Sequence, residues 1–448
     1  MKIIAIGILA ALTAAAPAGA AAAAPQTVGG CGTIVIGKAE AGDPAKLAAG
    51  ADCFGKASVV AASAASARRE RLAGMPTPAP SPAPAAVPAF VPTPSIAPTL
   101  AGLPSVASGL DVDKLVARAG GTGALPQPEA KPPGYTGLVE GAFRFLCAPS
   151  HNAYDDPIVY PGQPGASHLH TFFGNTKANA GSTYASLRTT GDSTCNNALN
   201  RSAYWISAML NGHGKIVMPD YLSVYYKRES ISDPKCSFKI RGCLPLPRGL
   251  RYVFGYNMQK PGKNTGSFYW NCIDSKGNGL GHFATLAEVA KLCTAPGSRV
   301  GAILTAPSCW NGRELDSPDH RSHMADGGQD GYGHYVCPSS HPYLLPHFVL
   351  AAWYTIDATL ADWYLASDRM PGMPAAVPGS TLHSDWFGAW EDSIQARWTA
   401  ACINKMLSCS GGDLGDGDQL PPTSGYDMPN GRPLAELPRM AAMQGMAH

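Results

Sequence analysis

Apolar residues in this chain fall in short runs, broken every few positions by Gly, Pro, Asn or Asp. Phe143-Arg144-Phe145-Leu146, Tyr221 to Tyr226, Tyr252-Val253-Phe254 and Phe348 to Tyr354 are aromatic or β-branched stretches of this kind. Such runs, bounded by turn formers, predict strands, and several of them argue for a sandwich- or jelly-roll-like domain. Helical patterning is confined to 284–292 and 391–405. The expected class is mainly β, with few helices and long loops, over a large domain at 135–410.

The flanking pattern differs. Met1-Lys2 precedes an apolar stretch to about Ala16, and small residues run on to Ala24. A basic start, a short apolar core and an Ala-x-Ala exit predict a signal peptide at 1–24. That stretch falls short of the ~20 apolar residues a membrane span needs. No later run is long enough, so no span is expected in the mature chain. At 25–73 a small unit is expected, bracketed by Cys31 and Cys53 and too small to hold a core without a bridge. Over 75–104 Pro recurs at nearly every second or third position. Such a tract favours extended polyproline II over a hydrogen-bonded ladder. Residues 74–134 are therefore expected to be a disordered linker, with a short helix near 109–119. The tail at 411–448, rich in Gly, Asp, Pro and Met, is expected to be disordered.

Composition narrows the class. A net charge of +2, from 34 basic and 32 acidic residues, gives no footprint for nucleic acid. The 50 Gly and 40 Pro weigh against an all-helical fold. The 12 Cys are even in number: 31, 53, 147, 195, 236, 243, 272, 293, 309, 337, 402 and 409. In an exported chain they are read as disulfides, and none has the C-x-x-C spacing of a zinc or redox motif. Two Cys fall in the small unit and ten in the large domain. Cys236 with Cys243, and Cys402 with Cys409, could each close a short loop; the other pairings are left open by spacing.

Histidine carries the candidate chemistry. A Gly- and Pro-rich turn leads into His168-Leu169-His170. Residues two apart on a strand share a face, so these imidazoles can meet one ion. A denser cluster holds Asp316, Asp319, His320, His323 and Asp326, with Pro318 placing it on a loop. A carboxylate beside an imidazole orients it and raises its basicity. Cys337-Pro338-Ser339-Ser340-His341 and His383-Ser384-Asp385-Trp386 are thinner clusters. Trp310, His341, His383 and Trp386 are candidate substrate contacts, because aromatic faces stack on sugars, although they suit a core equally well. The candidate catalytic set is His168, His170, Asp316, Asp319, His320, His323 and Asp385. His168, His170, His320 and His323 are the candidate metal ligands, and the two segments are expected to share one cleft.

Other signatures are absent: no P-loop, no Rossmann glycine fingerprint, no G-x-S-x-G and no H-E-x-x-H. Asp156-Pro157-Ile158-Val159, Pro161-Gly162, His168-Leu169-His170, Tyr204-Trp205 and Pro307-Ser308-Cys309-Trp310 recur in a known order. So do Asp316 to Met324 and Cys337-Pro338-Ser339-Ser340-His341-Pro342. Together they resemble the secreted fungal and bacterial family called domain of unknown function 1996, over about 140–405. Asn311 departs from the family's more usual Asp, and the His383-Ser384-Asp385 loop replaces a version richer in Gly and Tyr. The resemblance implies export and a domain boundary, and no activity.

The resulting expectation is a secreted or cell-envelope domain with a His/Asp site acting on extracellular or cell-wall polysaccharide, as a hydrolase or lyase with a divalent metal as candidate cofactor. The alternatives are a carbohydrate-binding or envelope-associated module without catalysis, and metal capture without turnover.

Overall fold

The computed structural model describes residues 99–118, 140–231, 236, 242–260, 267–329, 335–423 and 431–438. The chain divides into two units, 1–89 and 90–448, and every described residue belongs to the second. The expected signal peptide and the small unit with Cys31 and Cys53 lie outside the described residues.

Twelve strands build the scaffold: β1 Gly141–Cys147, β2 Pro149–Ala153, β3 His170–Gly174, β4 Ala203–Ser207, β5 Tyr221–Arg228, β6 Arg251–Gly255, β7 Ser267–Ile273, β8 Gly279–Phe283, β9 Arg299–Thr305, β10 His347–Thr355, β11 His383–Phe387 and β12 Ser408–Cys409. Seven of them form a sheet ordered β8-β7-β9-β10-β5-β1-β12, antiparallel except for the last pair. The others form an antiparallel sheet ordered β6-β11-β4-β3-β2. Phe143 and Phe145, Tyr226, Phe348 and Leu350 from the first sheet share one core with Phe173, Tyr204, Tyr252 and Trp386 from the second. The domain is mainly β, with the two sheets facing across that core, and period-two alternation explains which residues enter it.

Alternation also sets the far face of the five-stranded sheet. Phe172, Trp205, Val253 and Phe387 point away from the shared core into a second cluster with Ile158, Tyr184 and Leu187. In β3 and β11 the residues in phase with Phe172 and Phe387 are His170, His383 and Asp385. The sheet thus buries polar groups on the face opposite its main core.

Ten Cys form five bridges: Cys147–Cys195, Cys236–Cys243, Cys272–Cys293, Cys309–Cys337 and Cys402–Cys409. Helices are few, as expected, and shorter than the patterned stretches 284–292 and 391–405. Leu286–Val289 starts from a capping box between Thr285 and Glu288, and Asp392–Trp398 continues as a π turn over Thr399–Ile403.

Two segments depart from expectation. Residues 99–118, read as linker, run across the large domain. Arg248 Nε donates to Leu103 O at 2.6 Å, Arg188 Nε to Val106 O at 3.2 Å and Arg201 Nη1 to Ser108 O at 3.1 Å. Leu103, Leu110, Val112 and Leu115 pack on the core. Gly102 permits the approach: its φ is +82°, and a Cβ there would lie 2.3 Å from Arg248 O. The expected disordered tail also contributes. Leu414 and Leu420 are fully buried, and Ala435–Glu436 pairs with Lys215–Ile216. Polar and Pro-rich composition hid these anchors, because each needs only a few scattered apolar residues.

Candidate functional site

β3 carries His170 on the far face of the five-stranded sheet, and the preceding turn delivers His168 above it. β11 brings His383 to the same face. The outward residue of β4 that pairs with His170 is Ser207, whose small side chain leaves the space between the flanking strands open. The imidazole centroids of His168 and His170 lie 4.2 Å apart, and His383 lies 5.1 Å and 6.3 Å from them. One ligating nitrogen from each ring falls within 4.8 Å of the others.

Hydrogen bonding sets two tautomers. His170 Nδ1 lies 3.0 Å from Asp155 O, and His383 Nδ1 lies 2.8 Å from Thr381 O. A carbonyl only accepts, so Nδ1 carries the proton and Nε2 keeps its lone pair. This is the arrangement that metal-ligating imidazoles adopt. Nε2 of both His168 and His170 is buried without a hydrogen-bond partner. Burial drives the His170 pKa down to about 3, with His383 adding to the effect. Burial takes His383 to about 4 and His168 well below its ordinary value. All three are neutral, as metal binding requires.

Two carboxyls adjoin the imidazoles. One ligating atom each from Asp156, His170 and Asp385 also lies within 4.8 Å of the others. Asp156 Oδ1 accepts from the backbone N–H groups of Ile158 and Val159, both at 2.8 Å. Burial still raises its pKa to about 6. Asp385 is fully buried and neither oxygen has a partner. Burial, then Asp156, pushes it well above the usual carboxylate range, against the pull of the Arg321 guanidinium. Asp385 is therefore biased toward its protonated form more strongly than an ordinary carboxyl.

The loop of the second cluster covers this floor. Asp319 and Arg321 line a cavity of about 280 Å³ together with Asp156, His168, His383 and Asp385. They also line an adjoining cavity of about 220 Å³ with Asp326 and Lys260. Arg321 is fixed by bonds from Nη1 to Gly255 O at 3.1 Å and Nη2 to Tyr256 O at 2.8 Å. Asp319 folds its own loop. Burial raises its pKa, but donors on Ser322, Ser317 and Arg321 outweigh that and hold the carboxylate well below its ordinary value.

The His-x-His strand and the loop thus meet at one cavity, through Asp319 and Arg321. His320 and His323 are not among the clustered ligating groups. His323 Nδ1 accepts from Ser317 N at 3.1 Å, and Nε2 donates to Arg251 O at 3.0 Å, so both nitrogens serve the backbone. His320 Nδ1 pairs with Asp316 at 2.8 Å, and Asp316 also binds Arg251 Nε at 3.0 Å. His320 has φ 57°, so the loop turns sharply there. The third imidazole of the cluster is His383, expected instead as a substrate contact. Trp310 and Trp386 are buried in the core and offer no ring face to a ligand. His341 lies at the rim, with Nε2 2.8 Å from Ser322 O. Asp156 and Arg321 are additions; both stand in motifs quoted above, but their neighbours there carry the more conspicuous chemistry.

A profile of the family described as Domain of unknown function (DUF1996) matches residues 156–390. The chain belongs to that family. The DUF1996 match begins at Asp156 and extends past Asp385, so it contains every residue of the His/Asp cluster. The segment 99–118 and the tail, which pack against the DUF1996 region, lie outside the match. No curated protein and no solved structure matches the chain.

Proposed function

We propose that this DUF1996 domain is a metal-assisted hydrolase or lyase acting on extracellular or cell-wall polysaccharide. One observation carries the reading: three imidazoles bring ligating nitrogens within 4.8 Å of one another, beside a buried carboxyl whose oxygens have no hydrogen-bond partner. His168, His170 and His383 would hold the ion, matching the three protein ligands of open catalytic sites. A bound divalent ion lowers the pKa of a water or polarises a substrate oxygen. Asp385 donates a proton to a leaving oxygen. Asp156 keeps that proton on Asp385 by repelling a second negative charge, and Arg321 faces any anionic group entering the cavity. Five disulfides support an oxidising, extracellular setting. Metal capture without turnover is the second reading, favoured by the depth of the floor, where His170 and His383 are 0% and 3% exposed.

Metal analysis of the purified full chain, joined to a polysaccharide screen, tests both. Bound metal and turnover, with metal lost in His170→Ala and turnover lost in Asp385→Asn, supports the enzyme. Bound metal without turnover on any neutral or acidic polysaccharide leaves capture. A chain that binds no metal ion contradicts both.

A further inference from the structure

Methionines gather at the mouth of the His/Asp cavity. Met258, Met370 and Met373 line it together with His168 and His383. None serves the core: Met373 is 41% exposed and the other two are half-buried. Two tight turns hold them there. Met370-Pro371-Gly372-Met373 closes with Met373 N donating to Met370 O at 3.1 Å, and Gly372 takes the positive φ of 78° such a turn requires. Lys260 N donates to Asn257 O at 3.1 Å, closing a second turn around Met258.

Thioethers are soft donors. They bind Cu(I) and add little for Zn(II), Mg(II) or Ca(II), which take imidazole or oxygen. A cavity meant only to pack apolar groups would not place thioethers on one lining with the imidazoles of a cluster in which two Nε2 atoms are buried without partners. We infer that the ion at His168, His170 and His383 is copper, taken up as Cu(I) past the thioethers of Met258, Met370 and Met373. This rests on the three-imidazole metal centre proposed above and adds the identity of the metal; Cu(I) fits the capture reading of that centre rather than divalent-ion hydrolysis. The imidazoles accept copper in either oxidation state and zinc as well, while the methionines add affinity for the reduced copper ion alone.

The test measures Cu(I) affinity of the full, disulfide-bonded chain by competition with a chromophoric Cu(I) chelator under ascorbate, and Zn(II) affinity by competition with a zinc dye. The variant is the triple Met258→Leu, Met370→Leu, Met373→Leu chain. Leu keeps volume and apolarity, so the fold is preserved, and circular dichroism verifies it. The expected result is Cu(I) binding weakened about tenfold or more and Zn(II) binding changed by less than about twofold. Cu(I) affinity unchanged by the triple substitution means the methionines are apolar lining only, and overturns the inference. Equal losses for both ions overturn it too. Wild-type chain that binds Zn(II) but not Cu(I) refutes copper and leaves the metal centre standing. A chain that binds neither ion removes both.

Discussion

His323→Ala separates scaffold from site. The imidazole is fully buried, packs edge-on to Tyr252 at 5.9 Å, and connects Ser317 N to Arg251 O. Removing it strands one backbone N–H and one carbonyl away from water, each costing about 1–3 kcal/mol. The sum is about 2–6 kcal/mol, and the vacated space adds a cavity cost, so about 4 kcal/mol is expected. Urea unfolding followed by the fluorescence of the 8 Trp gives this number from the midpoint and slope. Metal content of the folded fraction should stay at the wild-type level, because His323 contributes no lone pair to the cluster. His170→Ala should lose the metal and cost less stability, about 1–3 kcal/mol, because it strands the Asp155 carbonyl alone while its other nitrogen is already unpartnered. A His323→Ala chain destabilised by less than about 1 kcal/mol, yet stripped of metal, would refute this division of labour.

Burial lowers His323 from 6.5 to about 4, so between those values the unfolded chain binds a proton that the native chain does not. Stability is therefore full above the upper value and falls as pH drops through the window, by up to about 3 kcal/mol for this residue; an unchanged urea midpoint between neutral pH and pH ~4.5 would contradict the burial. Ser at both Cys309 and Cys337 opens a bridge of sequence separation 28 and should cost about 3–4 kcal/mol on the chain-entropy estimate. Metal affinity should fall with it if the bridge positions the Asp319–Arg321 loop; retained affinity would show that the loop holds itself. Limited proteolysis should leave the bonds between 103 and 116 uncut, because the three arginine contacts and four apolar anchors hold that stretch. Leu103→Ala should expose it, and early cleavage there in the unaltered chain would show that the segment does not dock.

The β architecture is legible in the short apolar runs because strand periodicity is local. The His168/His170 pair is legible for the same reason. His383 is not, since only the sheet order β6-β11-β4-β3 carries it to the cluster, and sheet order is a long-range property. His320 and His323 look like ligands by residue type and spacing. Asp316, Ser317 and Arg251 engage their nitrogens, and no spacing rule reveals such partners. Trp310 and Trp386 illustrate a degeneracy: an indole suits a sugar face or a core, and the burial that decides it comes from distant strands. Residues 99–118 read as spacer because Pro spacing reports backbone extension. The surface they cover is set by Arg188, Arg201 and Arg248, far along the chain.

On β3 and β11, reactive and structural residues alternate along a single backbone. On β3, His170 and Phe172 alternate with Thr171 and Phe173, and on β11 Asp385 sits between Ser384 and Trp386. Inserting or deleting one residue in either strand would exchange the two faces, turning imidazole and carboxylate inward and the core aromatics Phe173 and Trp386 outward. The floor of the site is thus locked to the reading frame of the sheet, and length variation there is lethal to fold and chemistry together. The turns at 257–260 and 370–373 carry no such constraint. Lineages of this domain can lengthen, shorten or recolour the mouth while the floor stays constant, so diversity among them should concentrate in those two turns.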